Sequence, residues 1–332
     1  MYISYSPLRI TFGGGGTDVE PFLSRYGGAV VNATIDRGVS VRYIEDEYQL
    51  ELSSRDFVRS YIVNMHRPAN VTKMMADFLN DSGITMGRVI MSGDAPPGSG
   101  LGSSSAAVSA LMNLVNSIRG RRVDARILAE ESYNLERDHF HVVLGKQDPY
   151  AIAYGGFKYM EFNSDGTKYE NLGRYSEFTR DLQRRILLVY TGKTRQSSEV
   201  LMEQVKASEM GDERTNRSLL QMKDVAKRLR DAVINNDIEE FAHQINRGWE
   251  IKKALGSRIT NEHIDRIISL ALSSGAQAAR LMGGGSQGFV LVLCRPENLN
   301  AIQKKMMRVS NFVVRTSFDM MGTRTIGRMP EA

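Results

Sequence analysis

The stretch Pro96-Pro97-Gly98-Ser99-Gly100-Leu101-Gly102-Ser103-Ser104-Ser105-Ala106 decides how this chain is read. Its glycines let the backbone take positive φ and come close to a ligand. Its serines fall where a helix begins, because Ala107, Ala110, Leu111, Leu114 and Ile118 recur on one face until Gly120 ends the run. Free N–H groups and the positive end of that helix point back into the loop, an arrangement suited to a polyphosphate. The bland alternative is a flexible linker with an ordinary N-cap, and the long apolar helix directly behind the loop argues against it. The pattern is not a P-loop, which needs Gly-x-x-x-x-Gly-Lys and then Ser or Thr. Gly192-Lys193-Thr194 comes near, but Leu187 stands where its first glycine belongs.

Two further glycine-rich segments flank this loop in the sequence. Pro7-Leu8-Arg9-Ile10-Thr11-Phe12-Gly13-Gly14-Gly15-Gly16-Thr17-Asp18 holds an unbroken glycine run, which serves neither helix nor strand and costs backbone entropy on ordering. An arginine and an aspartate bracket it, as at a site that holds both phosphate and hydroxyl. Gly283-Gly284-Gly285-Ser286-Gln287-Gly288 fits Gly-x-Gly-x-x-Gly, but a dinucleotide fingerprint must open a helix, and Phe289-Val290-Leu291-Val292-Leu293 reads as a strand. The segment is therefore a turn between strands, either a plain hairpin or one that lines a ligand pocket.

At 332 residues the chain predicts two domains, with a boundary near residue 180. Strands are expected over 28–35 and 38–44, joined by a hairpin turn at Asp36-Arg37-Gly38, and over 49–52, 57–63 and 88–91. Helices over 103–119 and 124–138 follow. Gly155-Gly156 then leads into a strand over 157–162 and a hairpin through Ser164-Asp165-Gly166. A strand at 185–190 precedes a helical stretch over 197–255, broken near Gly211 and Asn235-Asn236, and a helix over 260–274. The chain closes as strand, strand, helix, strand over 276–282, 288–294, 297–307 and 312–318.

Composition narrows the function classes. Hydrophobic residues make up 42% and charged ones 24%, as in a globular protein with a core. Apolar runs such as Phe289–Cys294 fall far short of the roughly 20 residues a membrane span needs, and Met1-Tyr2-Ile3-Ser4-Tyr5 has no signal-peptide character. A single cysteine, Cys294, excludes an intrachain disulfide and a thiolate zinc site, so the cytoplasm is expected. His139 and His141 are read as structural, since no second cluster supports a metal. The net charge of +5 is spread among acids without an aromatic-laced stripe, so no nucleic-acid partner is expected, while phosphate ligands suit it. No membrane partner is expected either, and a homodimer is left open.

In order and spacing the three segments resemble those of the GHMP kinases (galactokinase, homoserine kinase, mevalonate kinase, phosphomevalonate kinase). The central loop is close to that family's ATP motif, and the first segment looks like its N-terminal substrate motif in Gly-Gly-Gly-Thr-Asp form. The third is similar to its C-terminal glycine motif, with Ser286 and Gln287 interrupting a run that is usually almost all glycine. The likeness extends from Pro7 to about Val292. Within the family, Arg9 through Asp18, Gly145-Lys146-Gln147-Asp148-Pro149-Tyr150, Tyr154-Gly155-Gly156-Phe157 and Tyr190-Thr191-Gly192-Lys193-Thr194-Arg195 look most like the D-glycero-D-manno-heptose 7-phosphate kinases. Fucokinase-like proteins share some of these.

The resemblance implies an α+β fold of two domains: a β-rich N-terminal ATP/substrate domain over 1–180 with crossover helices, and a ferredoxin-like C-terminal domain over 181–332. It implies ATP and Mg2+, a sugar phosphate acceptor and surface-polysaccharide metabolism. Pro97, Gly98, Ser99, Gly100, Leu101, Gly102, Ser103, Ser104 and Ser105 would cradle the nucleotide phosphates. Asp148 matches the family's catalytic aspartate, as base or orienter of the anomeric hydroxyl; unaided, it reads as a loop aspartate before Pro149. Arg9 would neutralise transition-state charge. Gly15, Gly16, Thr17, Asp18, Gly284 and Gly285 would face the sugar, with Arg195 preferred over Lys193 and Arg25 for its phosphate. Ser104 and Glu136 would hold the metal, with Glu130 and Glu131 as alternatives that a solvated surface also explains. Two rivals share the fold: diphosphomevalonate decarboxylases, against which Asp18 in a sugar-type motif argues, and a catalytically dead ATP/sugar sensor, against which Asp148, Ser104 and Arg9 argue.

Overall fold

The computed structural model describes residues 1–54, 59–62, 70–96, 98–192, 198–256 and 258–328. Its first half is built on β1 (Tyr2–Gly13) and the long β2 (Gly28–Gln49), with the short helix α1 (Phe22–Tyr26) between them. β3 (Glu51–Ser54), β4 (Arg59–Ile62), helix α2 (Asn70–Asp81) and β5 (Met86–Gly93) follow, then helices α3 (Ser103–Ile118), α4 (Ala125–Asn134) and α5 (Gln147–Tyr154). β6 (Phe157–Asn163), β7 (Gly166–Asn171) and helix α6 (Ser176–Gln183) complete it. β1, β2, β5, β3 and β4 lie side by side in that order, and β6 joins the other end of β2. Among the described residues only β3 and β5 run parallel; the other pairs are antiparallel.

The hairpin expected at Asp36-Arg37-Gly38 is not there. Residues 28–49 form one strand, and the register against β1 steps from Leu8↔Ile35 to Pro7↔Gly38, so that Asp36 and Arg37 bulge out. Both halves find partners in β1, which makes a bulge better than a reversal. The bulge is fixed from the side: the Asp36 N–H donates to the Ser317 carbonyl at 3.0 Å, and the Thr316 hydroxyl donates to the Asp36 carboxylate at 2.6 Å. Helix α5 is also not expected from pattern; it places Asp148 in a first helical turn, not in a loop.

The second half runs β8 (Ile186–Tyr190), α7 (Ser198–Glu209), α8 (Glu213–Ile234), α9 (Ile238–Lys253), α10 (Glu262–Ser273), β9 (Ala276–Leu281), β10 (Phe289–Cys294), α11 (Leu299–Met306) and β11 (Val313–Arg315). Its sheet has the antiparallel order β11-β8-β10-β9, the ferredoxin-like arrangement. The breaks in the helical stretch fall as expected, with Gly211 (φ +75°) and Asn236 (φ +54°) in the left-handed region. Asp212 and Asp237 then cap the next helices by accepting from Thr215 and Glu240 N–H groups. β11 is shorter than the expected strand over 312–318. After it, β12 (Arg324–Arg328) returns to the first sheet and pairs with β1, making eight strands among the described residues.

One core spans both halves. Phe12, at the end of β1, meets Phe157 of β6 at 5.6 Å and Phe241 of α9 at 5.1 Å edge to face, and Phe178 of α6 meets Phe241 at 5.2 Å. Each such pair adds about 0.5–1.5 kcal/mol beyond area burial. Val225, Ala226 and Leu229 of α8 lie in the same core, so the first glycine run leaves β1 from a fixed point against the second half. Among the described residues no helix is long and apolar enough to cross a membrane.

Candidate active site

The three glycine segments meet backbone to backbone. The loop before α3 is gripped on one side by β1, where the Arg9 N–H donates to the Leu101 carbonyl at 2.9 Å. On the other side the hairpin between β9 and β10 closes on it, with the Phe289 N–H donating to the Ser99 carbonyl at 3.1 Å. The approach requires glycine: a Cβ on Gly283 would lie 2.5 Å from the Gly100 Cα, and one on Gly288 2.4 Å from the Ser99 carbonyl. The third segment is thus a hairpin turn lining a site. Ser286, which interrupts its glycines, takes the left-handed conformation itself (φ +61°), and its N–H donates to the Ile259 carbonyl at 2.8 Å. At the start of α3, Gly102 is the N-cap with φ +74°, and no side chain caps the helix, which leaves first-turn N–H groups for a ligand. Ser99 Oγ, Ser286 Oγ and Gln287 Oε1 are buried without a partner among the described residues, as polar atoms are where a ligand or water completes them. Ser103 is buried with its hydroxyl 3.4 Å from the Pro96 carbonyl. Pro97, and Lys193 and Arg195 of the predicted phosphate-binding segment, lie outside the described residues.

Arg9 and Asp148 form the centre. The guanidinium donates to both carboxylate oxygens, Nε to Oδ1 at 2.7 Å and Nη2 to Oδ2 at 2.6 Å, and Nη1 donates to the Gly100 carbonyl at 2.6 Å. The arginine side chain is 5% exposed and the carboxylate 25%, so the fork is buried and the acid can still be reached. Asp148 follows Gln147, whose amide accepts from Thr11 at 2.9 Å and donates to Asp148 Oδ1 at 3.3 Å.

Two expected sugar contacts turn out to shape the loop. Thr17 is fully buried, and its hydroxyl donates to the Gly14 carbonyl at 2.8 Å and accepts from the Ala29 N–H at 3.0 Å, so it is not free to bind substrate. Asp18 is 4% exposed; its oxygens accept from the Gly16 N–H at 3.0 Å and the Gln147 N–H at 2.9 Å. Burial pushes this carboxyl up, against the pull of those donors. It ties the glycine run to the helix that carries Asp148. Gly15 and Gly16 remain partly open, and the Gly16 carbonyl accepts from Gln204 at 2.9 Å. Gly284 is partly open and Gly285 is buried against Ile259.

Family models for the GHMP kinases N terminal domain and GHMP kinases C terminal match residues 69–156 and 229–309. The chain belongs to the GHMP kinases. It is 26% identical over 333 residues to the D-glycero-alpha-D-manno-heptose 7-phosphate kinase of Campylobacter jejuni, covering 96% of this chain and 97% of the relative. It is 28% identical over 326 residues to a galactokinase of Thermococcus kodakarensis, covering 87% and 88%. The crystal structure of a D-glycero-D-manno-heptose 1-phosphate kinase from Bacteroides thetaiotaomicron superposes with a TM-score of 0.78 over 99% of this chain and all of that one; at 24% identity this shows the fold. As a GHMP kinase the protein is a phosphotransferase with an alcohol group as acceptor, and such kinases use ATP.

The metal that GHMP kinases imply has a fitting residue in Glu136. This carboxylate lies in a widened π-helical turn (Leu135–His139) after α4, only 2% exposed. Oε2 accepts from the Ser105 hydroxyl at 3.0 Å, and Oε1 is buried with no partner among the described residues. Burial pushes the group up to about 8, helped by the Asp148 charge. An orphaned carboxylate oxygen beside the glycine-rich loop before α3 is a place a cation would complete. The serine bonded to Glu136 is Ser105; Ser104, expected to share the metal, is exposed on the first turn of α3, with no bond to Glu136. Neither alternative is free: Glu130 accepts from the Tyr150 hydroxyl, and Glu131 from Asn116 and Arg121. His139 packs its ring against Phe78, at a centroid distance of 6.3 Å. No cluster of three metal-ligating side chains of the His, Cys, Asp and Glu type occurs among the described residues.

Sequence reasoning missed Lys252 and Arg280. Lys252, near the end of α9, donates to the Gly283 carbonyl. Arg280 of β9 is 2% exposed and donates to the Phe12 carbonyl at 2.8 Å. In the sequence the first is one of a run of helical lysines and the second one residue of a short strand; neither stands in a motif. Arg25, an alternative to Arg195 for the phosphate, donates to the Ser208 carbonyl at 3.0 Å.

Proposed function

We propose that this GHMP kinase is a sugar 1-kinase that moves the γ-phosphate of ATP onto the anomeric hydroxyl of D-glycero-D-manno-heptose 7-phosphate, giving the 1,7-bisphosphate. The observation that carries the reading is the forked Arg9–Asp148 pair at the join of the three glycine segments, 2.6 Å and 2.7 Å along its two arms. The similarity to the Campylobacter jejuni heptose 7-phosphate kinase over nearly all of both chains supports the acceptor.

Phosphoryl transfer needs alignment, charge neutralisation and an acceptor for the hydroxyl proton. The loop before α3 receives the triphosphate on backbone N–H groups. Arg9 uses one lone pair of each Asp148 oxygen and Gln147 approaches Oδ1, so Oδ2 keeps a lone pair to accept from the sugar hydroxyl and turn its oxygen toward the phosphorus. An anomeric hydroxyl is more acidic than an ordinary alcohol, so orientation does much of the work. As the proton leaves the hydroxyl, Arg9 stays hydrogen-bonded to Gly100 and holds positive charge beside the transferring group. Glu136 and Ser105 would hold Mg2+, which neutralises the β- and γ-phosphate oxygens when bound. Arg195 is assigned to the sugar's 7-phosphate; an Arg195→Ala variant with unchanged apparent affinity for heptose 7-phosphate removes that assignment.

The test is ATP consumption with heptose 7-phosphate, mannose 6-phosphate, fucose, galactose and mevalonate, with and without magnesium. Magnesium-dependent turnover that favours heptose 7-phosphate and is lost in Asp148→Asn supports the reading. Turnover with free galactose or fucose, which the galactokinase likeness makes the second reading, keeps the mechanism and changes the acceptor. ATP binding with no turnover on any acceptor points to a sensor.

A further inference from the structure

Each glycine segment is held by a cation from a different element. Arg9 of β1 donates to Gly100 of the second segment, Lys252 of α9 to Gly283 of the third, and Arg280 of β9 to Phe12, the residue before the first glycine run. Arg9 has its counter-ion in Asp148. Among the described residues neither Lys252 nor Arg280 forms an ion pair or a hydrogen bond with a carboxylate, and the nearby Asp18 already accepts from two backbone N–H groups. A buried arginine without a carboxylate is costly unless something else supplies negative charge. The unpartnered Ser99 Oγ, Ser286 Oγ and Gln287 Oε1 belong to the same glycine segments.

We propose that Lys252, backed by Arg280, is a phosphate subsite: its ammonium exchanges the Gly283 carbonyl for an oxygen of a terminal phosphate dianion. The inference rests on the kinase reading of the site and adds a residue to it. Two sources offer the same chemistry, the γ-phosphate of ATP and the phosphate ester of the acceptor. The charged groups that face Lys252 are Arg9 from β1, Arg280 from β9, Asp148 from α5 and Asp18 from the loop after β1. Burial and the two arginines bring the lysine down to about 7, against the pull of the two aspartates. An arriving dianion raises it again, so binding takes up a proton and weakens as pH rises above about 7.

The experiment measures dissociation constants of the full chain and of Lys252→Arg between about pH 6.5 and 8.5, in the presence of a chelator so that Glu136 is not coupled to a metal. The ligands are ATP, ADP and heptose 7-phosphate, each alone. Arginine keeps the charge and does not titrate in this range. For the ligand whose terminal phosphate meets Lys252, the ratio of wild-type to variant dissociation constants rises about tenfold per pH unit above about 7. A rise with ATP but not ADP assigns the γ-phosphate; a rise with heptose 7-phosphate assigns the acceptor. Proton uptake by the wild type, measured calorimetrically in buffers of different ionisation enthalpy, gives the same answer if Lys252→Arg does not fold. A flat ratio, or no proton uptake, while the wild type binds and turns over, overturns the proposal and leaves the kinase reading standing. A wild type that binds none of the ligands sinks the kinase reading, and the proposal with it.

Discussion

Glu136→Gln is the sharpest probe of the site, because it separates what burial costs from what a cation restores. In the unfolded chain a glutamate ionises near 4.5, while burial raises it to about 8 in the folded protein. A raised carboxyl favours the folded state fully at pH below its unfolded value and loses that contribution as pH climbs toward its folded value. Between about pH 4.5 and 7.5 the wild type should therefore lose about 3 kcal/mol of stability at this site, at about 1.4 kcal/mol per pH unit once past the lower value. The variant's amide does not ionise and keeps its stability there across the same range. With unfolding entropy near 2.1 cal/mol/K per residue, that is a swing of about 4 °C in the melting-temperature difference between variant and wild type. The assay is thermal unfolding of both proteins at the two pH values, without divalent cations, and then with magnesium. Magnesium should raise the wild-type melting temperature at the higher pH and leave the variant unmoved, while the variant's turnover collapses. A variant that melts at a constant offset from wild type at both pH values refutes the burial argument. A magnesium shift of equal size in both proteins refutes the cation assignment.

Three further outcomes follow from the geometry. Asp148→Asn should lower turnover at least a hundredfold with little change in ATP affinity, read by steady-state kinetics beside a binding titration. Gly15→Ala has room for its Cβ, whose nearest atoms lie 3.8 Å away, whereas at Gly14 a Cβ would fall 1.9 Å from the Ala29 carbonyl at φ +89°. Gly15→Ala should therefore melt like wild type and raise the acceptor KM, while Gly14→Ala should lose more than about 2 kcal/mol of stability; equal melting temperatures would count against the loop geometry. Asp18→Asn turns one carboxylate oxygen into an amide nitrogen facing a backbone N–H, so it should destabilise by about 1–3 kcal/mol and lower kcat through Asp148, which melting and kinetics together resolve.

What could be read from the chain and what could not divides along one physical line. Signals carried by local periodicity were legible: the helix after Ser103, the breaks at Gly211 and Asn236, and the strand after the third glycine segment each follow from neighbours in sequence. The turn at Asp36-Arg37-Gly38 is misread because a bulge and a hairpin turn use the same residues, and only the partner strand decides between them. Thr17 is misread for a related reason. A hydroxyl beside a glycine run looks available until the Ala29 backbone is known to lie against it.

The same logic explains why Lys252 and Arg280 were invisible while Arg9 was not. Arg9 stands inside a motif, so its type and place mark it as a candidate cation of the site. Lys252 and Arg280 act through space, on carbonyls 31 and 268 residues away in sequence, and nothing local marks them. Yet the backbone demands them. The second and third glycine segments pack at Cβ-excluding distance, and their carbonyls would repel an anion bound beside them unless donors turn them aside. Arg9 and Lys252 each bind such a carbonyl, and on the proposal above Lys252 then trades its carbonyl for a phosphate oxygen. If the γ-phosphate is the group that Lys252 meets, Lys252→Met should harm nucleotide binding even at low pH, where the lysine is charged, because the phosphate then loses the ammonium proposed to receive it. Titration of ATP into that variant at about pH 6.5 should show an affinity at least tenfold below wild type. Equal affinity would mean that Lys252 does not meet the nucleotide, and the γ-phosphate arm of the proposal would fall.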